Sequence, residues 1–322
     1  MERIRKTWLI GGACICIILI SLWMVMRPFG FLNPDDGYRY VVGVCQQNLQ
    51  TDIQLAFKSD VEAAAAQRDD VNVLFYSAGG DLEKQMQQLR TLLEQRVDCI
   101  IVSAESPESL EPALKEVLDG GVSLIVMGTN KSQVACDVLI RTDYFEIGKA
   151  AGTYFLQHSS PICFLEIQGN PRVQRIRELQ MGFRSIIDDV PNILSPYVIV
   201  GYDSYMVTQQ RIVQSGMIDA MPPITGVFAH SSEMALAAAD IFKTYGEYPR
   251  ILSVGGKTDG NSIAVGDSLE VVISVPSGGA EAFSFAEELM GGKTVPNEYT
   301  LPITLLNVKD SENSSACQEV LQ

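Results

Sequence analysis

The chain has 322 residues, of which 24 are Lys or Arg and 39 Asp or Glu, a formal net charge of −15. Hydrophobic residues make up 47% and charged residues 20%, a globular composition that excludes a disordered or fibrous chain and, at this length, fits two domains. The acidic balance counts against nucleic acid as a partner, because phosphate binding needs clustered Lys and Arg. Two histidines count against a His-rich metal site, and seven cysteines with no CxxC pair suggest neither a zinc ribbon nor a thioredoxin-like centre.

The first segment stands apart. Residues 8–26, WLIGGACICIILISLWMVM, carry no charge and follow Arg3, Arg5 and Lys6. The run is long enough to cross a bilayer core as a helix and longer than a secretory signal core, and no Ala-x-Ala-like cleavage site ends it. Residues 1–30 therefore read as an uncleaved signal anchor, with a cleaved signal as the alternative. The basic residues before the span keep the N-terminus in the cytoplasm and put the rest of the chain outside.

From Tyr38 onward, apolar runs alternate with amphipathic ones. YVVGVC (40–45) reads as a strand, DIQLAFKSDVEAAAA (52–66) as a helix and VNVLFYS (71–77) as a strand. The helix DLEKQMQQLRTLLEQ (81–95) puts Leu82, Met86, Leu89, Leu92 and Leu93 on one face. CIIVS, SLEPALKEVLDGG, VSLIVMG and DVLIRT extend the pattern to residue 142. A second set follows from EIGKAAGTYFLQH (146–158) to VVISVPS (271–277). Near-continuous apolar strands separated by helices predict parallel sheets covered on both faces, hence two doubly wound α/β units in series. Ligands of such sheets sit beyond the strand carboxyl ends, here between the two units in a cleft closed by hinge motion.

No catalytic motif survives inspection. GGKT at 255–258 and 291–294 lacks the upstream glycine of a phosphate loop, with Ile251 and Glu287 at that place. There is no GxGxxG after the first strand, no GxSxG and no HExxH, so an enzyme is not expected. His158 falls at a helix end, where capping is the expected role. His230 follows the strand GVFA at the expected cleft and reads either as a ligand contact or as a structural rim residue. The cysteines of the exported part sit mostly in or beside apolar strands and read as small buried hydrophobes.

Several stretches together carry a resemblance: AGGDLEKQMQQLRTLLEQRVDCIIVSA (78–104), RTDYFEIGKAAGTYF (141–155), RIRELQMGF (175–183), FAHSSEMALAAADIF (228–242) and ILSVGGKTDG (251–260). In this order and spacing, residues 38 to 307 resemble the type I periplasmic sugar-binding proteins of ABC importers. The resemblance implies two lobes joined by a three-segment hinge, with crossings near Asp143, Ser274 and residue 303. The N-terminal lobe then takes 38–143 plus 275–303, the C-terminal lobe 144–274 plus 304–308, and residues 309–322 form a polar surface tail.

It also implies a site built from strand ends. Ile53 and Gln54 stand where aromatic residues are expected to stack on a sugar ring, and Gly128-Thr129 where the family usually has Asp-Arg. Ser231 replaces an Asn, Lys257 an acidic residue and Ser274 a glutamine, whereas Arg177, Tyr205 and Asp143 match. Gln46, Gln47 and Ser103 are added from strand-end geometry. Arg177 and Lys257 together suit an anionic ligand; a neutral sugar or polyol bound through other contacts is the preferred reading. No cofactor and no metal is expected. The implied partners are a small carbohydrate-like ligand and a membrane ABC permease, or alternatively a sensor kinase or chemoreceptor, served by a monomeric chain anchored on the extracytoplasmic face of the membrane.

Overall fold

The computed structural model describes residues 38–322 except 105, 130–131, 159–162, 192, 194–195, 220–222, 257–268, 308–317 and 322. The apolar segment 8–26 lies outside the described residues, and among the described residues no helix is long and apolar enough to cross a membrane.

The alternating runs resolve into two sheets. The first collects β1 (Tyr40–Gln46), β2 (Val71–Ser77), β3 (Cys99–Ser103), β4 (Ser123–Thr129), β5 (Val138–Thr142) and the late strand β11 (Glu298–Thr300). Its spatial order is β11-β5-β4-β3-β1-β2, with every pair parallel. The second contains β6 (Phe164–Gln168), β7 (Tyr197–Val200), β8 (Gly226–Ala229), β9 (Arg250–Gly256), β10 (Leu269–Val275), β12 (Ile303–Asn307) and β13 (Gln318–Leu321), in the order β13-β12-β10-β9-β8-β6-β7. Here the expectation of purely parallel sheets needs correction: β12 and β13 run antiparallel to their neighbours. β12, which returns from the other sheet through a short connection, adds beside β10, where either direction closes a ladder, and β13 adds outside it. Gln318–Leu321, read from sequence as part of a polar surface tail, is that outermost strand.

Each sheet is covered on both faces. In the first, α1 (Asp52–Ala65) and α8 (Gly279–Met290) cover one side, where Phe57, Val61 and Phe283 meet Val42, Val44 and Ile101. The other side packs Leu89 and Leu92 of α2 (Leu82–Glu94) and Leu114 and Val117 of α3 (Glu111–Asp119) on Ile100, Val102 and Leu124. In the second sheet, α6 (Tyr205–Ser215) and α7 (Ser232–Thr244) supply Ile212, Met234 and Phe242 to one face. The opposite face receives Ile147, Ala151 and Phe155 of α4 (Tyr144–His158) and Ile176, Leu179 and Phe183 of α5 (Gln174–Ile187).

Two glycines set how closely α4 and α5 approach. A Cβ on Gly182 would stand 2.0 Å from the Phe145 carbonyl oxygen, and one on Gly148 2.2 Å from that of Leu179. The helices thus meet backbone to backbone, a contact only glycine admits.

The chain passes between the sheets three times: from β5 into α4 at Asp143, from β10 toward α8 after Val275, and from β11 to β12 around Pro302. Helix α8 and strand β11 go beyond the sequence reading. The segment GAEAFSFAEELM is helical, and its buried Ala282, Phe283 and Ala286 give it the i, i+4 stripe of a core helix.

Candidate functional site

The carboxyl ends of both sheets face a common cavity of about 210 Å³. Parallel register explains its first wall. Gln46, Ser103 and Met127 are register partners across β1, β3 and β4, and Thr129 pairs with Thr142 at the end of β5. All five line the cavity. The first turn of α1 lies over this wall. The Gln54 side-chain oxygen accepts from the Gln50 and Thr51 amides, each at 3.0 Å, which caps the helix, while the Gln54 carbonyl accepts from Gln46 Nε2 at 2.8 Å. Gln46 is therefore held with one amide hydrogen donated and, among the described residues, Oε1 buried without a partner. From the same turn Ile53 reaches the other lobe and packs on the core cluster that holds Leu179, Phe228 and Val254.

The second wall comes from α5 and from the ends of β6, β8 and β9. Arg175 and Asp203 line it and face each other, with guanidinium Nη2 3.2 Å from carboxylate Oδ2. Asp203 sits in a turn where both it and Tyr202 adopt positive φ, 55° and 56°, and its carboxylate packs on Gly169, where a Cβ would come within 3.1 Å of both oxygens. Its Oδ1 is buried and unpartnered. His230 also lines the cavity. Its ring lies 3.1 Å through Nε2 from Oε1 of Glu166, with both side chains fully buried. Gln168 donates to the same carboxylate oxygen at 2.9 Å. A buried carboxylate is costly unless donors meet it, and here Gln168 is the one hydrogen-bond donor among the described residues, Glu166 Oε2 and both ring nitrogens of His230 being without a hydrogen-bond partner. The imidazole continues a column of rings, since its centroid is 4.8 Å from that of Phe228, which lies 4.7 Å from Phe183.

Seven residues expected at the site from sequence line this cavity: Gln46, Gln47, Ile53, Gln54, Ser103, Thr129 and Ser231. Four others are placed differently. The Asp143 carboxylate accepts from the Glu146 amide at 2.9 Å and caps α4, while its neighbours Thr142 and Tyr144 line the cavity. The Arg177 guanidinium is exposed and donates to the carbonyl of Arg172 at 2.6 Å and to Gln174 Oε1 at 2.6 Å, which ties down the loop before its own helix. Two helical positions are about 200° of rotation, so the arginine on the cavity side is Arg175, one turn before the lining residue Leu179.

Tyr205 donates its hydroxyl to Asp240 at 2.6 Å and accepts from Gln209 at 2.8 Å, so it joins α6 to α7. The hydrogen bond to Asp240 holds this phenol above its ordinary ionisation range. Ser274 is buried inside the second sheet between Gly255 and Thr304, and the next residue, Val275, lines the cavity. Lys257 lies outside the described residues.

Arg175, Asp203 and the Glu166–Gln168 support behind His230 were not identified from sequence. The i, i+4 spacing of Arg175 and Leu179 on an apolar face was the readable signal for the first. The strand FLEIQ held the signal for Glu166 and Gln168, since an alternating polar pair inside a buried strand demands a partner.

Cys45, Cys99, Cys136 and Cys163 are free, and three of the four are buried. Burial pushes the Cys45 thiol up to about 12 and raises that of Cys99 as well, as expected of unreactive thiols that pack as small apolar groups.

Two α/β lobes that enclose a cavity at their strand carboxyl ends, linked by three crossings, define a two-lobed solute-binding protein. The chain belongs to the periplasmic binding protein domain family, whose sequence model matches residues 42–285. The ribose import binding protein RbsB of Bacillus subtilis is 21% identical over 299 residues, 90% of this chain and 96% of the relative. Among solved structures, the binding protein of the arabinose ABC transporter of Shewanella sp. ANA-3, bound to arabinofuranose, is 22% identical with a TM-score of 0.73. That match covers 84% of this chain and 93% of the other. The fructose-binding periplasmic domain of a hybrid two-component system is 20% identical with a TM-score of 0.71, over 85% and 92% of the two chains. The relatives are solute-binding proteins, and this chain is one rather than an enzyme.

Proposed function

We propose that the chain is an extracytoplasmic solute-binding protein that captures a monosaccharide-sized, uncharged sugar or polyol between its lobes and presents it to an ABC sugar importer. One observation carries the reading: a cavity walled by both lobes sets uncharged polar side chains such as Gln46, Gln47, Ser103, Thr129 and Ser231 among apolar ones such as Ile53, Leu179 and Val254. Such groups match sugar hydroxyls, and Ile53 offers the apolar contact a sugar face needs. A ligand that touches both walls favours the closed arrangement, which is the form a membrane partner reads. In this reading, segment 8–26 is an uncleaved anchor that tethers a monomeric chain to the outer face of the cell membrane.

The similarity to the sensory domain of a two-component system supports a second reading, in which the closed form signals to a membrane histidine kinase without transport. Thermal-shift screening of the purified chain against neutral sugars, sugar acids and sugar phosphates tests the ligand class. A stabilisation confined to acids or phosphates overturns it. Growth of a deletion strain on the stabilising sugar separates the two partners, because loss of uptake requires the importer. Mass analysis of the mature N-terminus tests the anchor, which is lost if residues 1–27 are missing.

A further inference from the structure

The cavity is lined by two polar side chains that are buried and incompletely bonded, one on each lobe. Gln46 is 1% exposed, and its Nε2 already donates to the Gln54 carbonyl at 2.8 Å, so the amide cannot flip and the unpartnered Oε1 is an acceptor. His230 is 2% exposed, and a carboxylate oxygen of Glu166 stands 3.1 Å from Nε2. The carboxylate contact favours the ring proton on Nε2, which leaves Nδ1 as the acceptor; among the described residues neither ring nitrogen has a hydrogen-bond partner. Gln168 holds the same Glu166 oxygen and Phe228 stacks on the ring, so the imidazole is held on two sides. On the second wall Asp203 Oδ1 is a third unpartnered acceptor, its other oxygen facing Arg175.

An unmet buried acceptor is costly, and a ligand donor that meets it recovers that cost. We propose that the cleft selects its ligand by hydroxyl or amino hydrogens donated simultaneously to Gln46 Oε1 and His230 Nδ1, with Glu166 the residue that positions His230, and that it rejects sugars carrying an anionic group at that place. This rests on the neutral-sugar reading above and names the groups that enforce it. It also explains how the site functions without the Asp-Arg, Asn and acidic positions usual in the family. The acceptors are supplied instead by a strand-end glutamine and by a histidine with a carboxylate behind it.

The chain has only two histidines, so histidine-selective nitrogen NMR reads His230 directly, with His158→Gln removing the other signal. At neutral pH the expected spectrum is the Nε2-protonated tautomer; a ring protonated at Nδ1 overturns the proposal without any ligand. Glu166→Gln should alter that tautomer signature. An unchanged spectrum removes Glu166 from its positioning role.

Calorimetric titration with D-ribose, L-arabinose, D-fructose, myo-inositol and D-galacturonate then tests selection. His230→Gln keeps an amide donor for Glu166 but loses the Nδ1 acceptor, and Gln46→Met loses Oε1. Each is expected to weaken the tightest neutral probe about tenfold or more, with the His230→Gln melting temperature close to wild type. If a neutral probe binds and both variants bind it as wild type does, the acceptor pair is overturned while the sugar-binding reading stands. Tighter binding of D-galacturonate than of every neutral probe overturns both, and failure of all five to bind overturns the sugar reading and this proposal with it.

Discussion

Ile53 is a first-lobe residue that packs on the core of the second lobe without a ligand, and its truncation gives a measurable closure energy. The side chain leaves the first turn of α1, is half-buried, and packs on the cluster that contains Leu179, Phe228 and Val254. Ile53→Ala removes three carbons, worth about 0.8 kcal/mol each when fully buried. Half-burial brings the sum to about 1.2 kcal/mol, or roughly a sevenfold shift of the open–closed equilibrium toward open. The interior of each lobe is untouched, so the melting temperature should hardly move. Small-angle scattering of the ligand-free protein reports which form predominates. If wild type is mainly open, ligand affinity should fall by the full factor; if it is mainly closed, the radius of gyration of the variant should rise. Wild-type affinity in a protein shown to be open, or a large loss of melting temperature in place of an affinity change, refutes Ile53 as a closure contact.

Four further outcomes follow from the geometry. Gly182→Ala forces a methyl to 2.0 Å from the Phe145 carbonyl oxygen, an overpacking cost of about 1–3 kcal/mol or more, read as a lower melting temperature in differential scanning calorimetry. Arg175→Ala should weaken ligand binding, since it unpairs Asp203 in the cavity wall, whereas Arg177→Ala should leave affinity in calorimetric titration unchanged because that side chain bonds only its own helix start and the preceding loop. Tyr205→Phe loses the hydrogen bond to Asp240 and should shift stability slightly in denaturant titration without changing ligand affinity.

The fourth outcome concerns pH. Burial holds the Cys45 thiol protonated up to about 12, while the unfolded chain ionises it near 9.0. Its contribution is present below pH 9 and is lost as pH rises toward 12, at about 1.4 kcal/mol per pH unit. Denaturant titrations between pH 9 and 10.5 should therefore show wild type losing stability faster than Cys45→Ala, and parallel losses would sink the assignment.

The fold was legible because burial on both faces writes itself into composition. Strands such as CIIVS and YVVGVC are apolar throughout, and the amphipathic helices between them carry i, i+4 stripes, so period and order sufficed. The antiparallel edge was not legible, since β12 and β13 are short, and nothing local in ITLLN or QEVL states the direction of a neighbour. At the site, Gln46 and Ser103 could be placed by counting to strand ends, while Thr129 and Ile53 were placed by resemblance; all four line the cavity. Arg177 and Tyr205 were chosen by resemblance at low identity, and there a shift of two positions along a helix exchanges the cavity face for solvent. Glu166 was hidden for another reason. Its meaning lies in a contact with His230, 64 positions away in sequence, created by the pairing of β6 with β8.

The second lobe also explains how a hinge can act on the site without deforming it. Helix α4 starts at the first crossing, where the Asp143 carboxylate caps it, and it is fused to α5 by the Gly148 and Gly182 contacts. Helix α5 carries Arg175 and Leu179 into the cavity wall, and its Phe183 abuts Phe228, which stacks on His230. Close-packed interiors resist gradual deformation and move as units. In the proposed closure, rotation at Asp143 carries Arg175, Asp203 and His230 together, as one wall, toward Gln46. The distance from Gln46 Oε1 to His230 Nδ1 is then the coordinate that closure changes, while the distances within either wall stay fixed. A ligand that bridges the two acceptors senses closure directly, whereas one held by a single wall gains nothing from it. Affinity and conformational response are thereby tied to the same pair of atoms.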